Sequence, residues 1–207
     1  MQQTATHPPR PHTAADAQGA RIGPNSLIQT VAALRARYGD EQAAAVLRRG
    51  KQAHLLDELP THMVPEQEFT DLATALAVQL GLEESYAILH QAGRLTGDYL
   101  LAHRIPGFFQ RGLRLLPPHP ALALFCVAIG KHAWTFVGSG GFHYTGGRVP
   151  CLEVESSIRP VAVVQGFYGG AFARLIQAII DPNAQIIAQP LRADQPACCR
   201  YDVHFRR

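Results

Sequence analysis

The sequence of 207 residues is defined first by what it lacks. No apolar run approaches the ~20 residues that a membrane span needs. The longest candidate, Ala121 to Ile129, is interrupted by Gly130, Lys131 and His132. The first twenty residues hold Pro, His, Thr and Ala but no apolar core, so they do not read as a secretory signal, and a cytoplasmic location is the default expectation. Charge is sparse: charged residues are 17% of the chain, and the net charge of +3 reads as small and scattered. Basic pairs occur at Arg48-Arg49 and Arg206-Arg207 without a basic stripe, which argues against a nucleic-acid partner. Cysteine is limited to Cys126, Cys151, Cys198 and Cys199, which suits free thiols better than a disulfide framework. On a strand, the adjacent Cys198 and Cys199 alternate faces and cannot both ligate one metal without distortion.

The common catalytic fingerprints are also missing. No Gly-x-Gly-x-x-Gly follows a strand and opens a helix, so a nicotinamide site of the doubly wound kind has no support. Gly166, Gly169 and Gly170 surround Phe167-Tyr168 with the wrong spacing. There is no phosphate-binding loop, no His-Glu-x-x-His and no Cys-x-x-Cys. Gly138-Ser139-Gly140 does not meet the five-residue nucleophile-elbow pattern and reads as a loop turn.

What is present describes an ordinary globular protein, 47% hydrophobic. A chain of this length buries roughly 70% of its unfolded surface. Residues 1–21 read as a disordered tail, and 22–207 as one domain. Asn25 or Ser26 can cap a helix carrying Leu27, Val31, Leu34 and Tyr38. Gly39 ends it, and Asp40 can cap the next, which runs to Gly50. A helix follows Val64-Pro65, with Phe69, Leu72, Leu76 and Leu80 as its stripe, and another spans Leu82 to Arg104. His54 and His62 fall in a loop-rich stretch. Prolines 106, 117, 118 and 120 cut the middle into short helical pieces. Ala121 to Val137 reads as the most apolar helix and the central one. Strands are expected at Phe142–Tyr144 and Val149–Glu155, a helix at Val161–Ile180, then a closing hairpin of Ala184–Leu191 and Cys198–Phe205 after the Asp181-Pro182-Asn183 turn. This order predicts an α+β fold, with helices packed on a small antiparallel sheet.

Two segments carry candidate chemistry. Lys131 to Gly140 sets a cation, an imidazole, the only Trp and a Phe at the end of the apolar helix, before a glycine-rich turn. His132 and Phe136, four apart, would share a helix face. Such a face can meet a flat, apolar, magnesium-bearing ring, with imidazole on the metal, aromatics on the macrocycle and Lys or Arg on a propionate. Equally, Trp134 and Phe136 can be core, and His132 a helix-end histidine beside the negative dipole end. The second segment, Asp98 to Pro106, closes a helix with Tyr99, His103 and Arg104. Arg104 can clamp a carboxylate, or both basic groups can simply complement the dipole.

Three segments together carry a family resemblance. Arg21-Ile22-Gly23-Pro24-Asn25, Thr96 to Pro106, and above all His132 to Gly140 resemble the 4-vinyl-reductase domain family of bacteriochlorophyll synthesis. Phe167-Tyr168, Phe172 to Leu175 and Cys199 to Val203 are similar to its closing helix and hairpin, so the resemblance covers about 21–207. It implies a ligand-sensing-domain-like α+β fold that encloses an apolar pocket and forms a homodimer through helices. It also implies action at reduction of the 8-vinyl (older numbering, 4-vinyl) group of divinyl protochlorophyllide. Metal-binding members of the wider fold carry four ligands at positions that align with Gln165, Ala188, Leu191 and Cys199. Only the last is a ligand type, so no zinc is expected.

The resemblance leaves the chemistry open. Vinyl reduction needs a hydride source, with NADPH the expectation for a catalyst, and a proton donor, for which Tyr99, Tyr168 or His132 qualify. No cofactor motif is evident. A carrier would hold the Mg-tetrapyrrole and present it to another bacteriochlorophyll-pathway enzyme. A bare sensing or scaffold module is the third reading. The candidate ligand residues are His132, Trp134, Phe136, Arg104, His103 and Tyr99, in a cavity between the Ala121–Val137 helix and the sheet.

Overall fold

Four glycines set the centre of the molecule. The computed structural model describes residues 19–205. Helix α5 (Leu82–His103) runs beside α9 (Val161–Ile179), and no other pair of elements packs so extensively. Gly93 and Gly97 on α5 face α9, and Gly166 and Gly170 on α9 face α5. A Cβ at Gly93 would meet the Phe167 carbonyl and sit 2.8 Å from the Ala171 nitrogen; one at Gly170 would meet the His90 carbonyl. The backbones are in direct contact, which only glycine permits. The two pairs, each spaced by four, place their glycines on one face of each helix.

Around this pair the remaining elements form layers. Helices α1 (Asn25–Tyr38), α2 (Asp40–Arg49), the single turn α3 (His54–Asp57) and α4 (Glu66–Leu80) lie N-terminal to it. Of these, α1 packs most closely on α5. Short helices α6 (Gly107–Arg114), α7 (Pro118–Gly130) and α8 (Trp134–Val137) follow. The main sheet has the order β3-β4-β6-β5, antiparallel throughout, from β3 (Gly141–Thr145), β4 (Cys151–Glu155), β5 (Gln185–Ala188) and β6 (Cys198–His204). Alternation turns Leu152, Val154, Cys199, Tyr201 and Val203 into the core. Tyr168 and Phe172 of α9 meet this layer, Phe172 against Tyr201 with ring centres 5.5 Å apart. Helix α9 thus lies between α5 and the sheet.

The expected α+β class holds, and several details differ. The sequence places Arg21 in the tail, whereas it pairs with Pro65 as Ile22 pairs with Val64, forming β1 (Arg21–Ile22) and β2 (Val64–Pro65). Residues 1–18 of that expected tail, and Arg206 and Arg207, lie outside the described residues. Neither Asn25 nor Asp40 caps its helix through its side chain; Ser26 Oγ instead donates to the Gly23 carbonyl. His54 opens the one-turn α3 rather than sitting in a loop. The expected Ala121–Val137 helix is two helices, and the central one is α9. Helix α7 is apolar all round, yet it buries only Ala121, Leu122, Phe125 and Cys126. Composition makes it look central; its position on the outside of the fold leaves a greasy face in water.

Candidate ligand site

The chain between α7 and β3 is shaped by distant partners. After Gly130, residues 131–133 form a turn in which the His132 amide donates to the Ile129 carbonyl at 2.8 Å. The Thr135 hydroxyl donates back to the His132 carbonyl at 2.8 Å, and the Thr135 carbonyl accepts from the Gly23 amide at 2.7 Å. This tie to the β1 segment stops α7 from continuing. His132 and Phe136 therefore do not share a helix face, contrary to the spacing argument. His132 and Trp134 are exposed; Phe136 is half-buried and packs edge-on to Phe142 and Tyr168, with centres 6.1 and 6.4 Å away.

Gly138 and Ser139 are held by a carboxylate that sequence reasoning missed. Glu66, at the start of α4 and only 8% exposed, accepts from the Ser139 amide at 2.9 Å, the Ser139 hydroxyl at 2.9 Å and the Ser157 hydroxyl at 2.8 Å. The N-terminal end of a helix favours a negative charge there. Gly138 has φ +62, and a Cβ on it would collide with Glu66. The glycine-rich turn is thus a clamp joining α4, α8 and the segment after β4. Two of the segments that carry the resemblance, 21–25 and 132–140, meet in this clamp.

The second candidate cluster lies across α9. The Tyr99 and His103 rings lie tilted against each other, centres 4.8 Å apart, and Arg104 is exposed beyond the helix end. Gln110, not the basic groups, reaches the end of α5, donating to the Leu101 carbonyl in its last turn at 2.7 Å and to the Ile105 carbonyl just beyond it at 2.8 Å. Phe136 meets α9 at Tyr168, while α5 near its C-terminus meets α9 through the Asp98–Arg174 ion pair. Those points are six residues, or about 9 Å, apart along the helix and on different sides of it. The structure brings Tyr99 and His103 together, leaves Arg104 exposed, and packs Phe136 on the core aromatics, but it does not assemble the two sets around one cavity.

A concavity lies on the outer face of the sheet. It is a half-open groove of about 520 Å³, within the range of ligand sites. The pairing register lays His143, Glu153 and Arg200 in a row across β3, β4 and β6. Glu153 and Arg200 form an ion pair at 3.0 Å. Arg192, Pro196 and Ala197, from the loop joining β5 to β6, close the other side. Arg192 is itself paired with Asp194 at 2.7 Å. The alternation of Cys198, Arg200 and Asp202 with buried residues signals a polar strand face, but which residues of other strands stand beside them depends on register.

The thiols divide the same way. Cys199 faces the core and Cys198 the groove, as strand alternation requires. Burial pushes the Cys126 and Cys199 thiols up to about 12, so both stay protonated. Of the four positions aligned with metal ligands in the wider fold, Gln165 is buried and donates to the Gln189 carbonyl at 2.7 Å. Among the described residues no group of three or more His, Cys, Asp or Glu could hold a metal ion.

No family model matches the chain. Among solved structures, it is similar to a Fe(II) unliganded H-NOX protein from K. algicida, at TM-score 0.55 and 12% identity over 88% of this chain and 95% of that one. A mutant of that same protein gives TM-score 0.55 at 13% identity, with the same coverage. A structure from work on heme distortion in the H-NOX family gives 0.54 at 11% identity, covering 87% and 93%. These likenesses establish the fold, which is of the α+β class expected. Two sequence relatives, from Cereibacter sphaeroides and Rhodobacter capsulatus, are each named bacteriochlorophyll synthase 23 kDa chain. The first is 32% identical over 197 residues, 88% of this chain and 90% of the relative. The second is 33% identical over 170 residues, 80% and 78%. Both names agree with the expected pathway, and neither speaks of a vinyl reductase. With such identity along nearly the whole of both chains, this protein belongs to the family of the bacteriochlorophyll synthase 23 kDa chains.

Proposed function

We propose that the protein binds a Mg-tetrapyrrole of bacteriochlorophyll synthesis in the sheet groove and presents it to another enzyme of that pathway. The observation that carries this reading is the half-open groove of about 520 Å³. It combines an imidazole, His143, with two guanidinium groups, Arg192 and Arg200, and the apolar Pro196 and Ala197. Imidazole is a ligand for the central metal, and guanidinium pairs with a propionate through charge-assisted bonds. The names of the relatives support the pathway. One of the H-NOX neighbours is described in terms of heme, itself a flat tetrapyrrole, and that supports the ligand class. A groove open on one side suits a pigment that must be handed on.

Reduction of the 8-vinyl group is the step to which the family resemblance points, and in this reading the chain holds the pigment while a partner enzyme supplies the hydride. The candidate proton donors fit that division. The Tyr168 hydroxyl is fully buried, its pKa pushed well up by that burial, and it donates to the Phe136 carbonyl at 3.3 Å. Tyr99 sits on α5 beside His103, and His132 is exposed on the turn after α7.

The test is titration of purified protein with divinyl protochlorophyllide, followed by absorbance, then addition of NADPH with chromatography of the products. Tight binding without monovinyl product is expected. Monovinyl product formed by this protein and NADPH alone would overturn the carrier reading. His143→Ala should weaken binding about tenfold or more, a loss of at least 1.4 kcal/mol, and abolish the Soret shift. If His132→Ala does this instead, the ligand lies at the exposed turn and not in the groove.

A further inference from the structure

The charge of the chain is not scattered as composition suggests. Between Asp98 and Glu153 lie 54 residues without one Asp or Glu, and they carry Arg104, Arg111, Arg114, Lys131 and Arg148. About a quarter of the chain thus holds five positive charges, more than the +3 of the whole. Among the described residues none of these five makes an ion pair.

The same stretch carries most of the exposed apolar surface. Of ten large apolar side chains exposed among the described residues, seven fall within it, six of them from Phe108 to Trp134: Phe108, Leu115, Leu116, Leu124, Val127 and Trp134. They follow helical spacing. Phe108, Arg111 and Leu115 lie at i, i+3 and i+7 on α6 and its C-cap; Leu124, Val127 and Lys131 repeat that spacing on α7 and its C-cap. The opposite faces are spent on the fold: Leu113 on α6, and Leu122, Phe125 and Cys126 on α7, are buried. Phe108 is 72% and Leu115 86% exposed, so the outward stripes contribute nothing to the core.

We propose that α6, α7 and the turn leading to Trp134 form a docking surface for an anionic lipid bilayer. Large apolar and aromatic side chains interleaved with Lys and Arg are what an interfacial helix presents to a membrane. Trp sits favourably at the headgroup level. The absence of carboxylates from the entire stretch removes the repulsion that an anionic surface would otherwise exert. No helix among the described residues is long and apolar enough to cross a membrane, so the contact lies in the plane of the interface. A protein partner would be served by the apolar side chains alone; the run of cations without a carboxylate selects an anionic surface. The proposal stands apart from the pigment reading, because the groove is built from the sheet and the loops beside it.

Trp134 is the only tryptophan, so its emission reports directly on this surface. The full-length protein would be mixed with vesicles of phosphatidylglycerol and phosphatidylcholine, or of phosphatidylcholine alone. A blue shift of Trp134 and co-sedimentation are expected with the anionic vesicles only, and both should fade as added salt screens the charges. Arg111→Ala and Lys131→Ala should each weaken binding about fivefold. Leu124→Asp and Val127→Asp, at exposed positions and with unchanged circular dichroism, should abolish it. An unshifted Trp134 with all protein in the supernatant would overturn the proposal. So would equal binding to both vesicle types, or binding that survives both aspartate variants. If those variants instead split a self-associated form in sedimentation, without any vesicle effect, the surface belongs to a protein contact and the proposal fails.

Discussion

Replacing Gly93 with Ala tests the central packing most directly. The new Cβ would lie against the Phe167 carbonyl and 2.8 Å from the Ala171 nitrogen. Both obstacles are backbone, so neither can rotate away. Restoring ordinary contact of 3.4 Å to that nitrogen needs a displacement of 0.6 Å, and more at the carbonyl. A gap of that size between packed helices forfeits a quarter to a half of each dispersion contact along the seam, and overpacking typically costs about 1–3 kcal/mol. Alanine's better helix propensity returns about 1 kcal/mol. With two backbones immovable, the upper end of the overpacking range or beyond applies, and a net loss of about 2–3 kcal/mol is expected. For a chain of this size that lowers Tm by roughly 4–12 °C. Gly112→Ala on α6 is the matched control, since nothing lies within 4 Å of its Cβ. It should gain about 1 kcal/mol and raise Tm by roughly 2–4 °C. Thermal unfolding followed by circular dichroism at a common protein concentration measures all three proteins. An unchanged or higher Tm for Gly93→Ala, or equal losses in both variants, would refute the glycine-mediated contact.

Two further outcomes follow from buried polar groups. Glu66→Ala leaves the Ser139 amide and two serine hydroxyls without their acceptor and should cost about 3 kcal/mol; hydrogen exchange should show lost protection at the Ser139 amide, and unchanged exchange there would refute the clamp. The His90 imidazole has its pKa held below the ordinary value, first by burial and then by Arg94 one turn on. The unfolded chain therefore takes the proton first as pH falls below about 6.5, so this stability is present at neutral pH and is lost on acidification toward the folded pKa. Urea midpoints at pH 7.5 and 5.5 should differ less in His90→Gln than in the parent, and an identical difference would show that His90 does not contribute.

The local punctuation of this chain was legible from its residues. Gly39 and Gly81 separate helices as expected, prolines bound α6 and α7, and period-two alternation marks β4 and β6. The pathway was legible too, because His132 to Gly140 and two other segments are distinctive runs. The candidate site was read less well. Spacing placed His132 and Phe136 on one helix, and only the hydrogen bond between Gly23 and Thr135, more than a hundred residues apart, shows that the helix breaks between them. Apolar composition made α7 look central, since hydropathy does not say which greasy helix is covered.

The sequence by itself determined where glycines and prolines punctuate the helices, which strand residues share a face, and to which pathway the chain is related. Those properties depend on sterics between chain neighbours or on residue identity. Only the tertiary structure decided that α9 is the central helix, that Glu66 grips the Gly138-Ser139 turn, and that His143, Glu153 and Arg200 stand in one row above a groove. Each depends on segments far apart in the chain meeting in one register, and short-range preferences do not encode that meeting.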